Sequence, residues 1–241
     1  MKLVIFDCDG TLVDSQHMIC AAMQQAYEAN NLSVPPRDQL LSIVGLSLPD
    51  AFRRLAVHTA NGADHPVDAL VTCYKDAFAA LRQSDDHLEP LYSGAREVID
   101  ALVARPDTLL GIATGKSQRG VRAVLGRHGL AERFATIQTS DDAPSKPHPG
   151  MVLAAMREIG AAPRDTVVVG DTVFDLEMAR AAGARAIGVA WGYHPVSALR
   201  AAGADAMIES FAELVPTLDR LWGVDAVEGA GDLERGHRLH G

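Results

Sequence analysis

Apolar positions in this chain follow two rhythms. Leu3-Val4-Ile5-Phe6 is an unbroken apolar run, β-branched at its centre, and reads as a strand buried on both faces. Comparable runs recur at Leu109–Ala113, Thr166–Val169 and Ala184–Val189, with shorter ones at Ala135–Ile137 and Ala206–Ile208. Between them lie helical patterns over Ala95–Ala104, Arg119–His128, Gly150–Ile159 and Leu176–Ala182. Strands alternating with helices predict an α/β protein with a parallel sheet covered on both faces.

The segment 15–88 breaks that rhythm. Its apolar residues recur at helical spacing, as in Ile19, Ala22, Met23 and Ala26, then Leu70, Cys73, Ala77 and Leu81. Pro35-Pro36, Pro49, Asn61-Gly62 and Pro66 cut it into pieces. The pattern predicts a helical insertion placed after the first strand. The expected division is a core from 1–14 and 89–222 with an inserted helical unit at 15–88. The tail 223–241 is Gly-rich and charged, and is expected to be disordered; its His237 and His240 are not expected to bind metal.

Composition narrows the function. The 241 residues carry a formal net charge of -9, which disfavours nucleic acid and anionic membrane surfaces as partners. Any phosphate site must then concentrate local positive charge. The apolar run at the start meets Asp7 and Asp9 at once, unlike a signal peptide, and no stretch approaches the ~20 apolar residues that span a bilayer. Three cysteines without metal-ligand spacing (Cys8, Cys20 and Cys73) suit a reduced, cytoplasmic protein.

Four short motifs carry chemistry. In Asp7-Cys8-Asp9-Gly10-Thr11, two carboxylates follow a buried strand at its carboxyl end, where ligands bind in open α/β sheets. Alternation sends both to one side, where like charges are costly unless a cation or shared proton relieves them. Gly10 allows a sharp turn and close backbone approach to an anion. In Gly170-Asp171-Thr172-Val173-Phe174-Asp175, Asp171 and Asp175 lie one helical turn apart, and converging carboxylates make a Mg²⁺-type site. Asp171 could alternatively be a helix N-cap. Thr114-Gly115-Lys116-Ser117 offers a hydroxyl and free amides to an anion, or simply caps a helix. Ser145-Lys146-Pro147-His148-Pro149 holds one of only four lysines, the others being Lys2, Lys75 and Lys116. A lysine so placed is a compact charge for a phosphate and an aspartate together, and His148 reads as structural.

Taken in order, DCDGT, a helical insertion, IATGK, SKPHP and GDTVFD resemble the haloacid dehalogenase-like superfamily, and within it the phosphoglycolate-phosphatase-like branch. The resemblance spans residues 1 to 222. It implies a Rossmann-like parallel-sheet core with helices on both faces and an inserted all-helical cap. It also implies a Mg²⁺-dependent phosphatase acting on a small phosphomonoester, with phosphoglycolate as the leading candidate. By the same resemblance, Asp7 is the nucleophile that becomes an aspartyl phosphate, and Asp9 is the acid and base. Thr114 bonds the phosphoryl oxygens and Lys146 neutralises Asp7. The metal is assigned to Asp7, the Asp9 carbonyl, Asp171 and Asp175. Gly10, Thr11 and Gly115 are expected at the phosphate. In the cap, Arg53 and Arg54 are the leading candidates for substrate contact, with His17, Ser47 and Gln16 beside them.

Other readings fit less well. Dehalogenases of the superfamily lack an acid at the position of Asp9. Phosphonate-cleaving relatives use a cap lysine, and this insertion has only Lys75. Hexose-phosphate mutases carry a basic residue after Gly-x-Ser, where Gly45-Leu46-Ser47 is followed by Leu48. A phospho-receiver domain lacks the insertion, and a non-catalytic phosphate binder would not need every motif acid intact.

Overall fold

The computed structural model describes residues 1–57, 65–83 and 89–223. The Asn61-Gly62 turn, the tail with His237 and His240, and the end of the insertion at Leu88 lie outside them. In chain order, β1 (Lys2–Phe6) is followed by α1 (Gln16–Ala29), α2 (Arg37–Leu41), α3 (Leu48–Ala56) and α4 (Val67–Leu81). Then come α5 (Ala95–Val103), β2 (Thr108–Thr114), α6 (Gln118–Arg127), β3 (Thr136–Thr139) and α7 (Gly150–Ile159). The chain continues through β4 (Thr166–Gly170), α8 (Val173–Ala181), β5 (Arg185–Val189), α9 (Val196–Ala201), β6 (Ala206–Ile208) and α10 (Leu214–Trp222).

The six strands form one parallel sheet in the order β3-β2-β1-β4-β5-β6. The first strand is therefore central. Its Leu3, Val4, Ile5 and Phe6 are wholly buried because side chains on both faces meet helices. Val4 and Phe6 join a core with α5, α6 and α10, while Leu3 and Ile5 join one with α7 and α8. The order of strands reverses around β1, which places the carboxyl ends of β1, β2 and β4 at a switch-point crevice.

The helices α1–α4 share a separate core built on Met18, Tyr27, Phe52, Leu55, Leu70 and Phe78. Helix α1 buries Ile19, Ala22, Met23 and Ala26, as its spacing predicts. Helix α4 is turned further than its spacing predicts: Leu70, Tyr74, Ala77 and Phe78 are buried, while Cys73 and Leu81 are only half-buried. Large rings win the buried face because they remove the most apolar area from water.

This helical cap sits on the sheet's carboxyl edge. Phe174 of α8 is buried in the cap's core rather than the sheet's. The Ser47 N–H donates to Ser145 Oγ at 2.8 Å. His194 bridges the two layers: its Nδ1 accepts from the Val173 N–H at 3.1 Å, which leaves Nε2 to donate to the Ser42 carbonyl at 3.0 Å. Burial lowers the His194 pKa, which favours this neutral form. Gly115 lies so close under the carbonyls of Gly45 and Leu46 that a Cβ there would collide with them. Among the described residues, no helix is long and apolar enough to cross a membrane.

Candidate active site

The site begins where β1 ends. Asp7 continues the strand, its N–H donating to the Val169 carbonyl of β4 at 2.9 Å. The chain then turns tightly, with Leu12 and Val13 N–H groups both donating to the Cys8 carbonyl. Gly10 adopts φ 85° in that turn, and a side chain there would strike both the Asp171 carboxylate and the Tyr193 ring. Its glycine identity thus serves close packing around Asp171 as well as the turn. Thr11 is fully buried, and its hydroxyl donates to Asp171 Oδ1 at 2.8 Å. It orients that carboxylate; its side chain is not turned to the cavity.

Asp171 follows β4, and its other oxygen, Oδ2, accepts the Tyr193 N–H at 2.9 Å. Thr172, not Asp171, precedes the first turn of α8. Asp175 closes that helix start: its Oδ2 accepts from the Thr172 N–H at 3.0 Å and the Thr172 hydroxyl at 2.6 Å. Its Oδ1 is then free to meet the Lys146 ammonium at 2.5 Å. The same ammonium lies 2.9 Å from Asp7 Oδ1. Lys146, Asp7 and Asp175 side chains are all 0% exposed.

One oxygen each from Asp7, Asp171 and Asp175 lies within 4.8 Å of the others. One ammonium cannot neutralise three buried carboxylates. Burial raises the Asp7 pKa to about 7, with Lys146 opposing and Asp175 reinforcing the rise. Burial, then Asp175 and Asp7, push Asp171 well above its ordinary value. Burial alone would lower the Lys146 pKa, but Asp175 and Asp7 outweigh it and the net shift is upward. Asp7 Oδ2 is buried and has no hydrogen-bond partner among the described residues. An orphaned carboxylate oxygen inside an all-oxygen cluster with excess negative charge fits a hard divalent cation of the Mg²⁺ type.

A cavity of about 440 Å³ opens from Asp7 toward the cap. Asp7, Asp9, Thr114 and Lys116 line it from the core, and Ile19, Met23, Leu46, Tyr74 and Phe78 from the cap. Thr114 is buried at the end of β2, and its Oγ accepts the Lys116 N–H at 3.3 Å. Ser117 caps α6 by accepting the Gly120 N–H. His148 is likewise structural, accepting the Gly150 N–H at the start of α7.

The cap residues expected at the substrate are not on the cavity wall. Arg53 is exposed and pairs with Asp50 one turn earlier on α3. Arg54 lies over the Phe174 ring, 5.2 Å from its centroid. Gln16 is held between Asp14 and Arg37, Ser47 caps α3, and His17 is exposed. The reason is amphipathicity: α3 buries Phe52 and Leu55, which turns its arginines outward. The cations that do line the cavity are Lys75 and Arg82 of the cap and Lys116 and Arg119 of the core.

Lys116 is the residue that sequence reasoning missed. Its ammonium donates to both Asp9 oxygens, at 2.8 and 3.0 Å, and lies 2.9 Å from Glu89 Oε1. The available signal was its scarcity: it is one of four lysines and directly follows Thr114-Gly115. Its partners are far away in sequence, so spacing could not reveal them.

The haloacid dehalogenase-like hydrolase family matches residues 4–189. Over 216 residues the chain is 36% identical to a probable phosphatase, IndB, of Dickeya dadantii, covering 88% of this chain and 91% of that one. It is 32% identical to a phosphoglycolate phosphatase of Xylella fastidiosa, covering 80% and 81% of the two chains. Among solved structures, a hydrolase from Pseudomonas syringae superposes with a TM-score of 0.78 at 27% identity, covering 91% and 99%.

Proposed function

We propose, from the premise that the chain belongs to the haloacid dehalogenase-like hydrolases, that it is a phosphatase using Asp7 as a covalent nucleophile on a small phosphomonoester. The observation that carries this reading is Asp7 itself. It is a wholly buried carboxylate at the end of a central strand, with one oxygen orphaned, one lysine against the other and a second acid two residues on.

The Asp7 carboxylate attacks phosphorus and forms an acyl phosphate, while the ester oxygen departs with a proton from Asp9. Water then attacks phosphorus, gives its proton back to Asp9, and releases Asp7 and inorganic phosphate. Phosphoryl transfer asks mainly for positioning and charge neutralisation. Thr114 offers a hydroxyl and Lys146 a fixed positive charge in a place little screened by water. Asp7, Asp171 and Asp175, with the Asp9 carbonyl, would hold Mg²⁺, which supplies charge stabilisation to the transferring group when bound. Thr11 and Tyr193 orient Asp171, and Thr172 orients Asp175.

The cap makes the site selective. It covers a cavity that admits a metabolite and excludes a folded phosphoprotein, so the substrate is a small molecule. Phosphoglycolate is the leading candidate. The test is a panel of phosphorylated metabolites with phosphate detection, including phosphoglycolate, sugar phosphates, nucleotides and pyrophosphate. Phosphate release that stops in EDTA and returns with Mg²⁺ is the expected result. Release undiminished after exhaustive chelation would exclude the metal-assisted mechanism, and no release from any member would exclude the phosphatase reading.

A further inference from the structure

Four charged groups of alternating sign run from the cap into the site. Arg82, at the end of α4, donates through Nε and Nη2 to Glu89 Oε2 at 3.0 and 2.7 Å. Glu89, on the strand of chain that returns from cap to core, meets Lys116 at 2.9 Å through its other oxygen. Lys116 in turn grips both oxygens of Asp9. The Phe78 ring of α4 completes the set: the Arg82 and Lys116 cations each lie 4.9 Å from its centroid.

Charges this deep are expensive. The Glu89 side chain is 2% exposed and that of Lys116 8%. Replacing such an array by apolar residues is often neutral or stabilising, so stability is a weak reason for it. What the array does geometrically is clear. A carboxylate held through both oxygens by one ammonium has a fixed rotamer, and that ammonium is fixed by the carboxylate of Glu89 and the aromatic face of Phe78.

We propose that Lys116 and Glu89 are positioning residues that hold the Asp9 carboxylate at the leaving-group side of the cavity, with Arg82 and Phe78 of the cap fixing Glu89 and Lys116 in turn. The inference rests on the phosphatase reading, in which Asp9 serves the leaving group.

The test compares an alkyl phosphate, whose alkoxide needs a proton, with p-nitrophenyl phosphate, whose phenolate needs little. In the full chain with Mg²⁺, Lys116→Met is expected to lower kcat on the alkyl phosphate about 100-fold, a typical general-acid contribution. The loss on p-nitrophenyl phosphate is expected to stay below about 10-fold. Lys116→Arg, whose fork can span two carboxylates, is expected to recover much of the difference. Removing Lys116 alone strands two acids, so the double variant Lys116→Met, Glu89→Gln guards against misfolding. It is expected to fold, by circular dichroism and melting, and to keep the same split. A folded double variant that loses both activities by one factor, or neither, would overturn the positioning role. A wild-type protein inactive on both esters would instead remove the phosphatase reading beneath it.

Discussion

Deleting the Lys146 ammonium tests the electrostatics of the site independently of any substrate. Its side chain is 0% exposed and meets Asp7 at 2.9 Å and Asp175 at 2.5 Å. Lys146→Met keeps most of the apolar stem but leaves Asp7, Asp171 and Asp175 buried with no cation beside them. Stranding a buried charge in this way costs ~3–5 kcal/mol. In a chain of this size each 1 kcal/mol moves Tm by about 2–4 °C. The metal-free variant is therefore expected to melt roughly 6–20 °C below wild type. Lys146 opposes the rise in the Asp7 pKa, so without it that value climbs further above about 7 and the deficit is larger at pH 8 than at pH 6. Millimolar Mg²⁺ should restore part of the loss by mass action, because a dication replaces the missing charge. Adding Asp175→Asn should also restore part, by removing one of the stranded acids. The assay is thermal melting by circular dichroism in EDTA at both pH values, repeated with Mg²⁺. A metal-free Lys146→Met protein that melts within about 2 °C of wild type at pH 8 would refute the reasoning, since a fully buried ion pair cannot then be what neutralises Asp7.

Other consequences follow from the same geometry. Asp9→Asn should slow an alkyl phosphate by about 100-fold or more and p-nitrophenyl phosphate far less; equal losses in a stopped assay would remove its acid role. The metal-free wild type should lose stability as pH rises. Asp7 binds a proton more tightly folded than unfolded, its pKa moving from 3.8 to about 7, so the folded state holds the extra proton across that window. Stability is then lost as pH climbs from about 4 to 7, by on the order of a few kcal/mol, and urea midpoints in EDTA should fall accordingly. The opposite slope would show that Asp7 is ionised and satisfied without a metal. Arg53→Ala should leave kcat/KM for the best metabolite within about twofold, because Arg53 is a solvent-facing partner of Asp50.

The central strands β1, β2, β4 and β5 were legible because they are buried on both faces, so each reads as a short apolar run whatever its register. Gly150–Ile159 was found to the residue, whereas α8 begins at Val173 rather than Leu176. There the first turn is written in Thr172 and Asp175, polar residues that a search for apolar periodicity passes over. In α4 the spacing allowed several faces, since Leu70, Val71, Cys73, Tyr74, Ala77 and Phe78 are all apolar, and only packing against α1 and α3 decided among them.

The convergence of the acids was legible for a different reason. Asp7, Asp9, Asp171 and Asp175 are local clusters at strand ends, and Lys146 is conspicuous in a lysine-poor chain. Lys116 and Glu89 were not legible, because their role exists only through Asp9, 107 residues from Lys116. Adjacent positive charges at Arg53 and Arg54 suggest an anion site, but they lie off the cavity wall because the helix that carries them turns its apolar face inward.

In the proposed mechanism Asp7 takes the phosphoryl group. The most direct measurement is to quench a turning-over mixture in acid, reduce any acyl phosphate with borohydride, and map the peptides by mass spectrometry. Homoserine is expected in place of aspartate at position 7 and nowhere else, with the signal lost when substrate is withheld. Steady phosphate release with Asp7 unmodified, or with the label on another carboxylate, would contradict it.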